Sequence, residues 1–104
     1  MSDEFAIILC TTPAGESEKI ARALVKKRLV ACVNISRVNS YFRWEGKLCD
    51  EKEDLLIIKT KRVKIGEIIE RIKELHPYEL PEVIAIPIIE GYDKYLAWMD
   101  EEIK

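Results

Sequence analysis

The residues richest in chemistry sit in one short stretch, His76-Pro77-Tyr78-Glu79-Leu80-Pro81-Glu82. It holds an imidazole, a phenol and two carboxylates around two prolines, which stiffen the backbone and so fix where the polar groups point. A stiff loop of convergent polar groups can hold a ligand; it can equally be a helix stop that leads into a strand, its charges in water. A second set, Tyr41, Arg43, Trp44, Lys47, Glu53 and Lys59, mixes aromatic rings with both signs of charge. Such a set lines a small-molecule pocket or anchors a contact between subunits. The cysteines at 10, 32 and 49 are odd in number, widely spaced and without a CxxC pair. That excludes a zinc finger and points to free thiols in a reducing, cytoplasmic setting. A single histidine cannot support an HExxH zinc site, and Gly15, Gly46, Gly66 and Gly91 form no phosphate-binding loop. With no nucleophile–base pair evident, the chain does not read as an enzyme.

The elements that must position these residues follow from periodicity. Glu4 to Thr12 is a continuous apolar run, read as a strand buried on both faces. After Pro13-Ala14-Gly15, the segment Glu16 to Leu29 has helical spacing, with Ile20, Ala21, Leu24, Val25 and Leu29 on one stripe. Val30 to Trp44 reads as a strand whose apolar phase slips near Ser36-Arg37, which predicts a bulge. Glu45-Gly46 is a two-residue turn, and Lys47 to Lys61 is the return strand. That hairpin is longer than the ~5–6 residues per strand usual in small domains, so its excess should protrude or find a partner.

Lys64 to Leu75 is the cleanest helix, with Ile65, Ile68, Ile69, Ile72 and Leu75 in phase and Pro77 forbidding continuation. Glu82 to Ile89 is a strand that Pro87 confines to an edge, a bulge or its own end. Tyr92 or Asp93 to Ile103 is a last helix. The order predicts one α+β domain over 1–104, a ferredoxin-like split βαβ (βαββαβ plus a C-terminal helix) with an antiparallel sheet. Right-handed crossovers place the first two helices on one face. The other face, apolar around Leu55 to Ile58, predicts assembly into an oligomer.

Composition sets the outer limits. The 104 residues are 48% apolar, which suits a globular chain with its own core. No apolar run approaches the ~20 residues of a membrane span, and no secretory signal opens the chain. Charged residues reach 35%, against ~25% in an average domain, yet 17 basic and 19 acidic side chains nearly cancel to −2. Nucleic-acid binding, which needs a basic excess, is not expected. Abundant Lys and Glu with no Gln and only Asn34 and Asn39 resemble a thermostable protein.

Several segments together carry a family resemblance: Leu9-Cys10-Thr11-Thr12-Pro13, Ala31-Cys32-Val33-Asn34-Ile35, Trp44-Glu45-Gly46-Lys47 with Tyr41 before it, Glu53, Lys59-Thr60, the His76–Glu82 stretch, and Tyr95-Leu96 with Trp98. In that order they resemble the CutA family, the divalent-cation tolerance proteins, over nearly the whole chain. The resemblance implies a cytoplasmic, ferredoxin-like homotrimer, similar in architecture to the nitrogen-regulatory signalling trimers and linked to tolerance of copper and other divalent metals. It also implies Cys10 and His76 as copper ligands; Leu75 stands where some members carry a second histidine. Thiolate and imidazole suit copper or zinc, and Glu79 or Glu82 could add oxygen donors. The alternatives are a signalling-type trimer and a structural scaffold. The first would hold a small anionic ligand in an inter-subunit cleft built from Trp44, Lys47, Glu53, Lys59, Tyr78 and Glu79.

Overall fold

The expected elements all form, in the expected order, in a computed structural model that describes residues 4–104. They are β1 (Phe5–Pro13), α1 (Ser17–Lys26), β2 (Cys32–Trp44), β3 (Lys47–Lys61), a 3₁₀ turn (Arg62–Lys64), α2 (Ile65–Leu75), β4 (Val83–Pro87) and α3 (Asp93–Glu102). The sheet order is β2-β3-β1-β4 with every pair antiparallel. This is the α+β, ferredoxin-like arrangement.

One face of the sheet holds the core. Ile8 and Cys10 of β1 and Leu56 and Ile58 of β3 are fully buried there. They pack against Ile20 and Leu24 of α1 and Ile68 and Ile72 of α2, also fully buried. Burying each such side chain contributes roughly 1.5–3 kcal/mol relative to leaving it exposed. The apolar runs of β1 and β3 are thus not buried equally on both sides: Ile7, Leu9, Leu55 and Ile57, on the opposite face, are only half-buried in the single chain. α3 covers one end of that face, where Lys61 Nζ meets Asp100 Oδ1 at 2.5 Å and Lys59 Nζ lies 5.7 Å from the Tyr95 ring centre. Ile84 and Ile86 of β4 stay 53% and 47% exposed.

The hairpin departs from expectation at one point. Pairing runs without interruption from Cys32 opposite Lys59 to Trp44 opposite Lys47, so the bulge expected near Ser36-Arg37 does not form. The phase slip has another cause. β3 pairs with β1 only from Glu53 onward, so 39–44 and 47–52 form a two-stranded ribbon beyond the sheet. No core lies beneath a ribbon to impose inside–outside alternation. Its turn places both Glu45 (φ 51°) and Gly46 (φ 79°) in the left-handed region, as a type I′ turn requires.

α1 ends three residues earlier than its apolar stripe suggests. Arg28 turns left-handed at φ 60°, and its N–H and that of Leu29 donate back to Val25 O and Leu24 O at 3.0 and 3.2 Å. This is a Schellman stop built on arginine where glycine is usual. The Arg28 guanidinium holds it by donating to the carbonyls of Glu102 and Glu101, and the Arg28 carbonyl accepts from Lys104 N–H at 2.9 Å. β4 is shorter than expected and lies at the edge, so Pro87 at its end breaks no ladder.

Candidate functional site

The extended backbone of His76 (φ −81°, ψ 136°) ends α2, as a residue before proline must. It also turns the imidazole under the sheet end, where His76 is 7% exposed. Nε2 lies 2.7 Å from the Thr11 carbonyl of β1, and Nδ1 accepts the Tyr78 N–H at 3.1 Å. An Nδ1 that accepts leaves the proton on Nε2, which donates to Thr11. The ring is therefore a bracket that bends the loop back on itself.

Two more contacts pin the loop. The Tyr78 hydroxyl donates to Glu53 Oε2 at 2.8 Å, and the Thr11 hydroxyl donates to Glu82 Oε1 at 3.2 Å. Burial, then the Glu53 hydrogen bond and its charge, push the Tyr78 phenol up to about 12. Glu53 itself is 4% exposed, so this carboxylate is held in one place.

Between this loop and the outward face of the hairpin lies a cleft of about 880 Å³. Trp44, Phe42 and Ser40 of β2 and Cys49, Glu51 and Glu53 of β3 line it at alternate positions, as one face of a ribbon must. Thr11, Pro77, Tyr78, Glu79, Leu80 and Glu82 form the other wall, with Tyr41 at the rim. Four carboxylates thus face the space, and among the described residues no Lys, Arg or His lines it. Trp44, Glu53, Tyr78 and Glu79 meet here as the sequence reading grouped them. Lys47 and Lys59 share the strand face of Glu51 and Glu53 but do not line the cleft: Lys47 is exposed at the turn, paired with Trp44, and Lys59 stacks over Tyr95. Glu51 and Cys49 escaped the sequence reading. Period-two alternation back from Glu53 would have found them, given the unbroken register across Glu45-Gly46.

Cys10 is placed differently. Its side chain belongs to the helix-facing core at 0% exposure, and burial, followed by the nearby charges of Glu82 and Glu53, pushes the thiol up to about 12. As placed, Cys10 and His76 offer a metal neither a thiolate nor an unshared imidazole nitrogen. Among the described residues no group of three His, Cys, Asp or Glu side chains is placed to hold a metal ion. The thiol environments make a prediction. At pH 8, Cys49 and Cys32, both partly exposed, should react with an aromatic disulfide reagent, and Cys10 should react only on unfolding. Because the folded thiol is the weaker acid, its contribution to stability is complete below the unfolded thiol's range and lost as pH rises toward about 12. Three thiols reacting at one rate in the native protein would contradict this placement.

The family model for the CutA1 divalent ion tolerance protein matches residues 6–102. The divalent-cation tolerance protein CutA of Thermus thermophilus is 44% identical over 97 residues, covering 91% of this chain and 94% of that one. Its counterpart in Pyrococcus horikoshii is 42% identical over 99 residues, covering 94% and 97%. Among solved structures, the one described as a periplasmic divalent cation tolerance protein CutA of Archaeoglobus fulgidus superposes with a TM-score of 0.94 at 40% identity, covering 96% of this chain and 99% of that one. A PII-like protein CutA from Nostoc superposes at 0.90 with 38% identity, covering 95% and 97%. With a family model spanning nearly every residue and relatives above 40% identity over 94% and 97% of their length, this chain belongs to the CutA1 divalent ion tolerance protein family.

Proposed function

We propose that this protein serves divalent-cation tolerance as a homotrimeric binding protein, not an enzyme, and that its ligand site is the cleft between the hairpin and the 76–82 loop, which takes up a cation. The observation that carries this reading is the charge of the cleft: Glu51, Glu53, Glu79 and Glu82 line it with no basic side chain among the described residues. A low-dielectric concavity of one sign concentrates ions of the other. An anionic ligand would meet four carboxylates. A metal at Cys10 and His76 would require ionising a core thiol and releasing the ring from Thr11 or Tyr78; uptake in the cleft requires neither. The trimer is supported by the exposed isoleucines of β4, the two open sheet edges and the ribbon that extends the chain to 45 Å.

The test is calorimetric titration with copper(II), zinc and calcium of the wild type, a Glu51→Gln/Glu82→Gln double variant, Cys10→Ala and His76→Ala, with native mass spectrometry giving the subunit number. The double variant should bind at least about tenfold more weakly, the equivalent of ~1.4 kcal/mol, and Cys10→Ala should match the wild type. Full affinity in the double variant with loss in both Cys10→Ala and His76→Ala would move the site to that pair.

A further inference from the structure

We infer that the cleft is built for an organic cation, a small molecule carrying an alkylammonium group, with its charge toward the carboxylates and its carbon framework against Phe42, Trp44 and Tyr78. This rests on the cation reading of the cleft and names the class of ligand.

Three features separate this ligand from a bare metal ion. The first is the donor set. A metal ion bound directly needs several donor atoms converging within coordination distance. Among the described residues no such group of three acidic, thiol or imidazole side chains exists. A substituted ammonium group needs only negative potential and a close-fitting wall, and strung-out carboxylates supply the potential.

The second is the wall. Phe42 and Trp44 stand at alternate positions of β2, on the ribbon face that carries Glu51 across the ladder, and Tyr78 faces them from the loop. Aromatic faces give a metal ion no ligand atom but attract an alkylammonium through the ring quadrupole while covering its carbon. Leu80 and Pro77 add apolar surface at the same wall.

The third is size. About 880 Å³ lies in the range of small-molecule pockets and far exceeds what one ion fills. The anchor is also preformed: Glu53 is buried and tied to Tyr78 at 2.8 Å, so little ordering is left for the ligand to impose. Divalent ions attracted by the same carboxylates would compete with the organic cation, and each would lower the other's apparent affinity.

The probes are choline chloride and its uncharged carbon isostere, titrated calorimetrically into the full chain at low ionic strength. Copper(II) and calcium chloride are titrated in parallel, and sedimentation gives the oligomeric state in each mixture. Choline should bind at least about tenfold more tightly than the isostere. Trp44→Ala should weaken choline by about 3- to 30-fold, the span of a cation–π contact, and Trp44→Phe should recover most of it. Glu51→Gln should weaken choline and leave the isostere unchanged. Both positions lie on the exposed ribbon, so neither variant threatens the core. Equal binding of choline and isostere, or choline binding indifferent to both variants, would overturn the inference. So would choline binding that appears only as subunits separate, since the cleft would then be a subunit contact. Glu51-dependent binding of metal ions without choline would overturn this inference and leave the cation reading standing. If neither choline nor any metal binds, both fall.

Discussion

Replacing Ile84 and Ile86 together by glutamate is expected to convert the proposed homotrimer into monomers that keep the far-ultraviolet spectrum of the fold. Both side chains lie on the sheet face that α1 and α2 do not cover, beside half-buried Ile7, Leu9 and Ile57. Neither belongs to the core cluster. If that face is the subunit contact, each isoleucine, about half exposed in the single chain, contributes about 1 kcal/mol on further burial. The contact is repeated in each subunit, so the double variant loses that several times over. Burying six carboxylates without partners would cost far more still. Sedimentation velocity at micromolar concentration decides the matter. A double variant that still sediments as a trimer would place the interface elsewhere, with the hairpin as the next surface to test.

The second large effect is expected at Asp54, 5% exposed on the helix side of β3. Its carboxylate accepts from Ser17 Oγ at 2.7 Å, from Gly15 N at 3.0 Å and from Arg37 Nε at 3.0 Å. The N-cap residue of α1, Glu16, makes no side-chain cap. Asp54 therefore braces the entry to α1 from across the chain, joining the turn before the helix and its first residue to the sheet and to the base of the ribbon. Asp54→Ala leaves a buried hydroxyl and an amide without acceptors, at a cost of about 3 kcal/mol and a Tm lower by about 15 °C. The hydrogen bonds from Ser17 and Gly15, with Arg37, hold the carboxyl below the usual range. A depressed carboxyl stabilises the fold above its unfolded pKa and loses that contribution as pH falls through its folded one. The gap between wild type and Asp54→Ala in denaturant unfolding should therefore narrow on going from pH 7 to about pH 3. A gap unchanged by pH would mean that lost packing, not the charge-assisted hydrogen bonds, carries the cost.

The element order, the α+β class and the overlong hairpin can be read from the chain alone, because each is written in residues close along it. Periods of about 2 and about 3.6 residues separate strand from helix within a dozen residues. Pro77 stops α2 and Glu45-Gly46 turns the ribbon through backbone geometry alone. The motifs around Trp44 and His76 were likewise sufficient for the family. Three other features depend on contacts between residues far apart in sequence. Arg28 ends α1 left-handed because the C-terminal residues hold it, a contact across more than seventy positions. The apparent bulge in β2 disappears because register follows the partner strand, and beyond the sheet no core rewards apolar alternation. The cleft gathers Glu51, Glu53, Glu79 and Glu82 because the loop, held by His76 reaching Thr11, 65 residues away, stands over one stretch of β3; Lys47 and Lys59 share that strand face but lie beyond the two ends of the stretch. A charge sign summed over a sequence says nothing about which charges share a wall. That depends on pleat, register and one buried imidazole, and it makes the cleft acidic in a chain whose net charge is only −2.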